Sequence, residues 1–531
     1  MKLVDWFLKS TEGHSREAAL AYERGRYAGV VSAEEARRQA LAALAGSPAM
    51  LFGTLLTGEE LWVGIETTDR HNIIVGATGS GKTRVHLDRV RTRLRLGLLD
   101  GFGYHLSDPK GETVRELKKH LTLWWLSADD DTKEAIQKAV HVIDWTSDRI
   151  TPTAPLDNRE QITTDAYAAE LSTRLTLETS DAAYSDSLRQ VLFMWNYLLI
   201  DHGYPPNFAF GLKFFRDAAY RAHVLARTKS PDVRQFFSSL SQLTATQTID
   251  AFLRRLWGEQ AFPEYRCAVG VPPEKLDQLN LPKNPRWVLA NFATSNAQPP
   301  SLGHARFRWY AVRRLFAALR RPERAALWEA FEELQLLLTG SPEVIEILMT
   351  SLRVLRSFNV SLTLCAQSLT AALPHPVVEN ILLNTAHWTM LQARPSDAEL
   401  LLPFLLLDPA DRRSSSEKRE EFLRQMASLP RQHFCFLAKG HPALFGRAPD
   451  VLDPAVETGR CEAELLEIFD REIAPHSMIP ITLAQRLIAE WENEVVTQQQ
   501  VAVNPAAPPT STPPISNLNQ LRQLLGQKGT P

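Results

Sequence analysis

Cysteine is scarce in this sequence. Cys267, Cys365, Cys435 and Cys461 stand far apart among 531 residues. No two have metal-ligand spacing and no disulfide framework emerges, so reduced thiols in a reducing compartment are expected. Long apolar runs are missing as well. A membrane span needs about 18 or more consecutive apolar residues, and the longest approach, Leu400–Leu407, is interrupted by Pro403. It reads as a buried helix. The start, Met1–Ser10, carries Asp5 and has no long apolar core, which argues against a secretory leader. A surplus of positive charge is absent too, since 59 Lys+Arg face 61 Asp+Glu for a net charge of −2. That excludes a chain coated in positive charge but leaves room for a local basic track. Arginines do cluster, at Arg84, Arg89, Arg91, Arg93 and Arg95, then at Arg313, Arg314, Arg320, Arg321 and Arg324. Solvated helix faces and a track for a polyanion are both open readings.

What the chain does have is a glycine-rich turn between an apolar run and a helical pattern. Ile73–Val75 reads as a buried strand, and Gly76 to Thr83 matches G-x-x-x-x-G-K-[ST]. Gly76, Gly79 and Gly81 can take backbone angles that a side chain forbids, so successive N–H groups turn inward. Those donors and the following helix N-terminus favour an anionic phosphate. Gly76, Ala77, Thr78, Gly79, Ser80, Gly81, Lys82 and Thr83 are therefore the expected nucleotide-binding residues, with ATP and Mg²⁺ as ligands. Lys82 is expected at the β- and γ-phosphates, and the Thr83 hydroxyl at Mg²⁺. A helix runs on from Thr83 to Leu96, and Gly97 can end it.

Further strands are expected at Gly101–Ser107, Val140–Asp144, Arg286–Phe292, Ala325–Trp328, Val360–Cys365, Trp388–Leu391 and His433–Leu437. Helical patterns separate them, which predicts an α/β fold with a mainly parallel sheet. Residues 1–50 read as helical and 51–164 as the first part of the nucleotide-binding domain. Residues 165–275 carry only helical signals and form an expected all-α insertion; 276–455 resume the sheet and 456–500 read as C-terminal helices. Residues 501–531 are a Pro-rich linker and a short amphipathic tail. Ser516 caps its one helical stretch, to Leu525, either a frayed end or a peptide that docks on a partner.

Several stretches, in order, resemble the coupling-protein ATPases of type IV secretion and conjugation (the TraG/TraD kind, related to FtsK and HerA pumps). They are His71–Thr83; Asp108-Pro109-Lys110-Gly111-Glu112; Thr153-Ala154-Pro155-Leu156, where the family often has Asn-Pro-Leu; Arg356 through Gln367-Ser368-Leu369; and a closing hairpin region at Phe436–Gly440. Together they span roughly residues 50–455. The resemblance implies RecA-like P-loop domains in a homo-hexameric ring with ATP between subunits. It implies single-stranded DNA as cargo, held by its backbone, with a relaxase or secretion-channel proteins as partners. It makes Arg356 an arginine finger for the neighbouring subunit and Gln367 a sensor beside the γ-phosphate. Asp108 either orients water or Mg²⁺ or simply ends a strand.

One departure bears on catalysis. The family's second phosphate-site strand ends in Asp-Glu, the Asp supporting Mg²⁺ and the Glu activating water. In Ala325–Leu334, Glu329 falls on the Asp position and Ala330 on the Glu position. Glu329 is then the expected metal-side and catalytic carboxylate, and hydrolysis is impaired unless the register shifts to Glu332 or Glu333. Well-known coupling proteins also carry N-terminal membrane helices, which this chain does not show. The expected location is cytoplasmic, with attachment to the inner face of the cell membrane made through partners. Two alternatives stand beside the motor: a nucleotide-gated recruitment module with little hydrolysis, and a cytosolic HerA-like DNA-processing ATPase.

Overall fold

The computed structural model describes residues 33–46, 48–97, 103–144, 147–152, 186–239, 246–260, 263–279, 286–294, 300–319, 325–338, 342–371, 373–402, 415–439 and 441–497. The first thirty-two residues, the Thr153–Leu156 motif, Arg320, Arg321, Arg324, positions 403–407 and the C-terminal tail lie outside the described residues, as does the Arg95 side chain. In chain order the strands are β1 (Ala49–Leu55), β2 (Glu60–Gly64), β3 (Asn72–Val75), β4 (Gly103–Asp108), β5 (Val140–Asp144), β6 (Arg149–Ile150), β7 (Trp287–Asn291), β8 (Leu327–Phe331), β9 (Val360–Ala366), β10 (His387–Met390), β11 (His433–Ala438), β12 (Leu444–Arg447) and β13 (Ile479–Pro480). The described residues fall into two units. One is drawn from the stretches before 147 and between 282 and 477, the other from 147–281 and from 478 onward.

The first unit is built on an 11-stranded sheet in the order β2-β1-β12-β11-β10-β3-β9-β8-β4-β7-β5. From β10 to β5 every neighbouring pair is parallel. The other four strands, β11, β12, β1 and β2, continue the sheet antiparallel. In β3, β4, β5, β8, β9 and β10 every residue is buried. Burial on both faces is what crossover helices impose on parallel strands. Sequence placed the end of β8 at Trp328. The strand instead runs to Phe331, because Ala330 and Phe331 keep pairing with Leu106 and Ser107 on β4 and with Thr363 and Leu364 on β9.

The helix Lys82–Gly97 leaves β3 through the glycine turn. Its residues from Val85 to Val90 are all buried, so its arginines turn inward. Arg84 donates to the Val451 carbonyl at 2.7 Å. Arg89 lies 4.1 Å over the Phe52 ring and donates to Thr389 Oγ1 at 2.5 Å. Arg91 faces Asp88 at 3.7 Å and Arg93 pairs with Asp69 at 3.0 Å. Arg89 and Arg93 are thereby accounted for inside their own unit, where low dielectric makes an unpaired charge costly. Arg84 and Arg91 are half-buried, and Arg84 lines the cavity at the sheet edge.

The second unit is helical apart from β6 and β13, which pair with each other. Helix starts follow local chemistry: the side chains of Asn207, Asp217 and Ser230 each accept a first-turn N–H, and Pro231 follows Ser230. The apolar stripes converge on Trp195, which is 1% exposed. Phe210, Phe214, Phe215 and Phe252 ring it with centroids 5.3–5.8 Å away. The C-terminal helix Ile481–Glu492 adds Trp491 to the same core. Among the described residues no helix is long and apolar enough to cross a membrane.

Trp195→Ala empties the centre of this aromatic cluster. Truncating a buried aromatic costs about 3–5 kcal/mol, so the urea midpoint of the helical unit, followed by tryptophan-independent circular dichroism, is expected to fall accordingly. An unchanged midpoint contradicts the central place given to this side chain.

Candidate functional site

Parallel pairing brings the carboxyl ends of β3, β4, β8 and β9 to one edge of the sheet, where open α/β sheets bind ligands. A cavity of about 500 Å³ lies there. Ala77, Thr78, Gly79, Gly81, Lys82 and Thr83 line it from the loop after β3. Asp108, Lys110 and Thr113 line it after β4, Glu332 and Glu333 after β8, Gln367 after β9, and Arg431 before β11.

The loop itself is held at both ends by backbone bonds. Gly76 N–H donates to the Ala366 carbonyl at 3.1 Å and Ala77 N–H to that of Gln392 at 2.8 Å. Gln432 N–H donates to the Ser80 carbonyl at 2.8 Å. Gly79 and Gly81 have φ of 82° and 102°, left-handed angles that glycine tolerates. A Cβ on Gly76 would come within 2.6 Å of Ser80 Oγ, and one on Gly81 within 3.0 Å of Gln432. Ser80 Oγ is buried with no hydrogen-bond partner. A cradle too tight for side chains, closed by a buried lysine at a helix N-terminus, suits a phosphate.

The acids at this edge differ in state. Asp108 is buried, and its carboxyl accepts backbone N–H groups from Lys110 at 2.9 Å, Thr113 at 2.8 Å and Val114 at 3.2 Å. These bonds close the Asp108–Glu112 turn and start the next helix. Burial, aided by the charge of Glu332, raises its pKa to about 6. Glu332 is 4% exposed. Burial alone would raise it, but the hydrogen bond from His86, together with Lys82 and Thr113, holds it below the usual carboxylate range. His86 Nδ1 lies 2.8 Å from Glu332 Oε1. Glu333 has a left-handed φ of 53°, costly for a residue with a side chain. Lys110 Nζ at 2.6 Å and Gln367 Nε2 at 3.0 and 3.1 Å hold its carboxylate over the cavity.

Two expected site residues are not brought here. Glu329 lies mid-strand, paired with His105 and Leu362, and does not line the cavity. Its Oε1 accepts Arg314 Nη2 at 2.6 Å and lies 2.8 Å from His105 Nδ1. Burial works to raise its pKa, yet the Arg314 guanidinium and His105 outweigh that and hold it at about 2. The placement of Glu329 at the metal is corrected for a simple reason: β8 continues two residues past it, so the carboxylates that clear the sheet edge are Glu332 and Glu333. The visible signal was the doubled acid directly after the apolar run ending in Phe331. Arg356 is exposed in the short 3₁₀ turn before β9. The seven residues of β9, roughly 20 Å of strand, separate it from Gln367 in its own chain. No local pattern marks Arg431, whose place comes from β11 alone.

No protein-family model matches the chain, and no curated protein matches it in sequence. Solved structures do. VirB4 of Thermoanaerobacter pseudethanolicus is 15% identical with a TM-score of 0.51, over 77% of this chain and 98% of that one. The bacterial conjugative coupling protein TrwBΔN70 is 14% identical with a TM-score of 0.49, over 78% and 92%. TrwB in complex with the non-hydrolysable ATP analogue ADPNP gives 15%, 0.48, 80% and 94%. The chain has the RecA-like P-loop fold shared with VirB4, a large, mostly parallel sheet with covering helices.

The raised pKa of Asp108 makes a signed prediction. The folded state holds this proton more tightly than the unfolded chain, so its stabilising contribution is full below about pH 4 and is lost as pH rises toward about 6. The stability of the wild type minus that of Asp108→Asn is expected to fall, by on the order of 2–3 kcal/mol, across that window in urea titrations. A difference that is flat or rises with pH contradicts the assignment.

Proposed function

We propose that this protein is a Mg²⁺-dependent ATPase of the type IV secretion and conjugation coupling kind, working as a ring that moves single-stranded DNA. The observation that carries the catalytic part is the convergence of the P-loop, Glu332, Glu333 and Gln367 at one sheet edge around one cavity. Backbone N–H groups of Gly79, Gly81, Lys82 and Thr83, together with the Lys82 ammonium, take the β- and γ-phosphates, while those of Gly76, Ala77 and Ser80 are bonded to carbonyls within the fold. Thr83 and Glu332 hold the Mg²⁺, which supplies neutralisation and polarisation of the phosphate oxygens. The low pKa of Glu332 keeps it ionised for that task at neutral pH.

Glu333 is the base for the attacking water. Its carboxylate overhangs the cavity, and Lys110 and Gln367 fix its direction. Gln367 lines the same cavity from the end of β9, so it can exchange its bond to Glu333 for one to a γ-phosphate. Of the two features that favoured the recruitment-only alternative, Ala330 and the missing membrane anchor, the first no longer bears on catalysis, because Ala330 is a fully buried mid-strand residue. With two carboxylates at the end of β8, hydrolysis is the better reading.

The transport part is supported by the Asp108–Glu112 run, by Arg356 and Gln367 in their order, and by the VirB4-like fold. Arg356, exposed and remote from its own cavity, serves the neighbouring subunit's γ-phosphate in a homo-hexamer. DNA, a relaxase and the channel proteins are the partners this reading takes, with the working place at the inner face of the membrane.

Three variants test it. Lys82→Ala is expected to lose nucleotide binding by equilibrium titration. Glu333→Gln is expected to keep binding while turnover drops about 10²–10⁴-fold. Arg356→Ala is expected to keep binding but lose DNA-stimulated turnover, and mixing it with Lys82→Ala subunits restores part of the activity by pairing an intact P-loop with an intact arginine. Full turnover in Glu333→Gln, or no response of the wild type to single-stranded DNA, contradicts the base and the cargo respectively.

A further inference from the structure

Behind the P-loop lies a buried cluster that the proposed hydrolysis does not fully use. His86 comes from the first turns of the helix after the loop, Glu332 from the end of β8 and Cys365 from β9. They are 1%, 4% and 0% exposed. His86 Nδ1, a Glu332 carboxylate oxygen and Cys365 Sγ all lie within 4.8 Å of one another. His86 Nδ1 and Cys365 Sγ are 3.6 Å apart, and His86 Nδ1 is 2.8 Å from Glu332 Oε1. On the far side of the ring, Tyr104 Oη sits 3.1 Å from His86 Nε2.

We infer that these three residues form a site for a thiophilic divalent cation, Zn²⁺ first among them. One nitrogen, one sulfur and one oxygen on three separate elements is a Zn²⁺ donor set with a fourth position left open. Tetrahedral coordination at ordinary Zn–N and Zn–S lengths sets those two ligand atoms about 3.6 Å apart, the separation already present here. The nitrogen and carboxylate oxygen need only part from hydrogen-bond distance to about 3.4 Å. Tyr104 orients the ring from outside, as metal-bound histidines require. Glu332 also lines the nucleotide cavity, which gives the ion its way in and its open position.

Binding balances as follows. The Cys365 thiol, whose pKa burial pushes far up, releases its proton to solvent as the metal–sulfur bond forms. His86 stays neutral: Nδ1 gives up its proton and bonds the metal, and Nε2 gains one and donates it to Tyr104 Oη. The dication then faces one thiolate and one carboxylate, so the buried site is neutral. Glu332 is drawn to this ion and away from Mg²⁺. This last consequence rests on the nucleotide reading above, and the site then acts as a brake: Zn²⁺ slows turnover from inside the P-loop's own packing.

The test has two arms, both in a Cys461→Ser background because Cys461 is the exposed cysteine. In the first, Co²⁺ is titrated without nucleotide. One equivalent is expected to give a thiolate-to-cobalt charge-transfer band that Zn²⁺ bleaches. Cys365→Ser is expected to abolish the band, Cys435→Ser to keep it, and Tyr104→Phe to weaken binding about tenfold. Should Cys365→Ser fail to fold, X-ray absorption of the Zn²⁺-loaded parent protein decides: one sulfur with nitrogen and oxygen neighbours supports the site. No band, a band that survives Cys365→Ser, or a zinc shell without sulfur overturns it. In the second arm, Zn²⁺ at fixed Mg·ATP is expected to lower hydrolysis at least tenfold in the parent and far less in folded Cys365→Ser. Equal inhibition of both overturns the brake. If no hydrolysis exists to inhibit, the nucleotide reading fails while the cobalt arm still judges the site.

Discussion

The register of β8 between β4 and β9 governs this structure. Leu327 to Phe331 pair without interruption with both neighbours. That fixes which side chains are locked in the sheet and which emerge at its edge. Shift β8 by one residue and each side chain changes face. The carboxylates of Glu332 and Glu333 would then leave the cavity, and Glu329 would lose Arg314. Glu332 N–H donating to the Ser107 carbonyl at 3.0 Å carries the pairing one step past the strand, so the acids start from a defined point. Everything else at this edge is arranged against it: the P-loop hangs from β9 and the residues after β10, and Asp108 ties the β4 turn so that Lys110 reaches Glu333.

Four carboxyl groups crowd into this region, and their surroundings divide the labour among them. Glu329 is neutralised inside the sheet by Arg314 and His105. Glu332 is ionised by His86 and Lys82, Glu333 is steered by Lys110 and Gln367, and Asp108 is pushed toward its neutral form. Separation of ionisation states within one small volume is how a site assigns acid and base tasks at a single pH. Here it also lets Asp108 do mechanical work. Its oxygens accept three backbone N–H groups, which shape the turn after β4, while the residue still lines the cavity.

Much of this could be read from the chain. The glycines, Lys82 and Thr83 announced the phosphate cradle, and alternation of apolar runs with helical patterns gave the parallel sheet. Gln367 was singled out by the family resemblance, at the end of the strand expected at Val360–Cys365. What misled was composition within β8. A buried glutamate in an otherwise apolar run resembles the acid that ends such a strand, and only the pairing with β4 and β9 reveals that two more residues follow. Its compensation, Arg314, lies on a separate helix, and no local pattern joins them. The arginines of Lys82–Gly97 posed the same difficulty. Periodicity cannot tell a guanidinium in water from one stacked on Phe52 inside the fold. The antiparallel pairing of β1 with β12 was also missed, since it joins residues far apart in the sequence.

The Glu329–Arg314 pair sets a limit on how this sequence can drift. Neither partner can change alone without leaving an unpaired charge, that of Glu329 inside the sheet or that of Arg314 on its partly exposed helix side chain, and losing Arg314 alone costs about 3–5 kcal/mol as a buried pair broken on one side. Replacing both with fitted apolar residues can be neutral or better. The two states are thus separated by a valley that single substitutions must cross. Descendants of this chain are expected to hold both residues or neither, and His105, which shares the same carboxylate oxygen, changes with them.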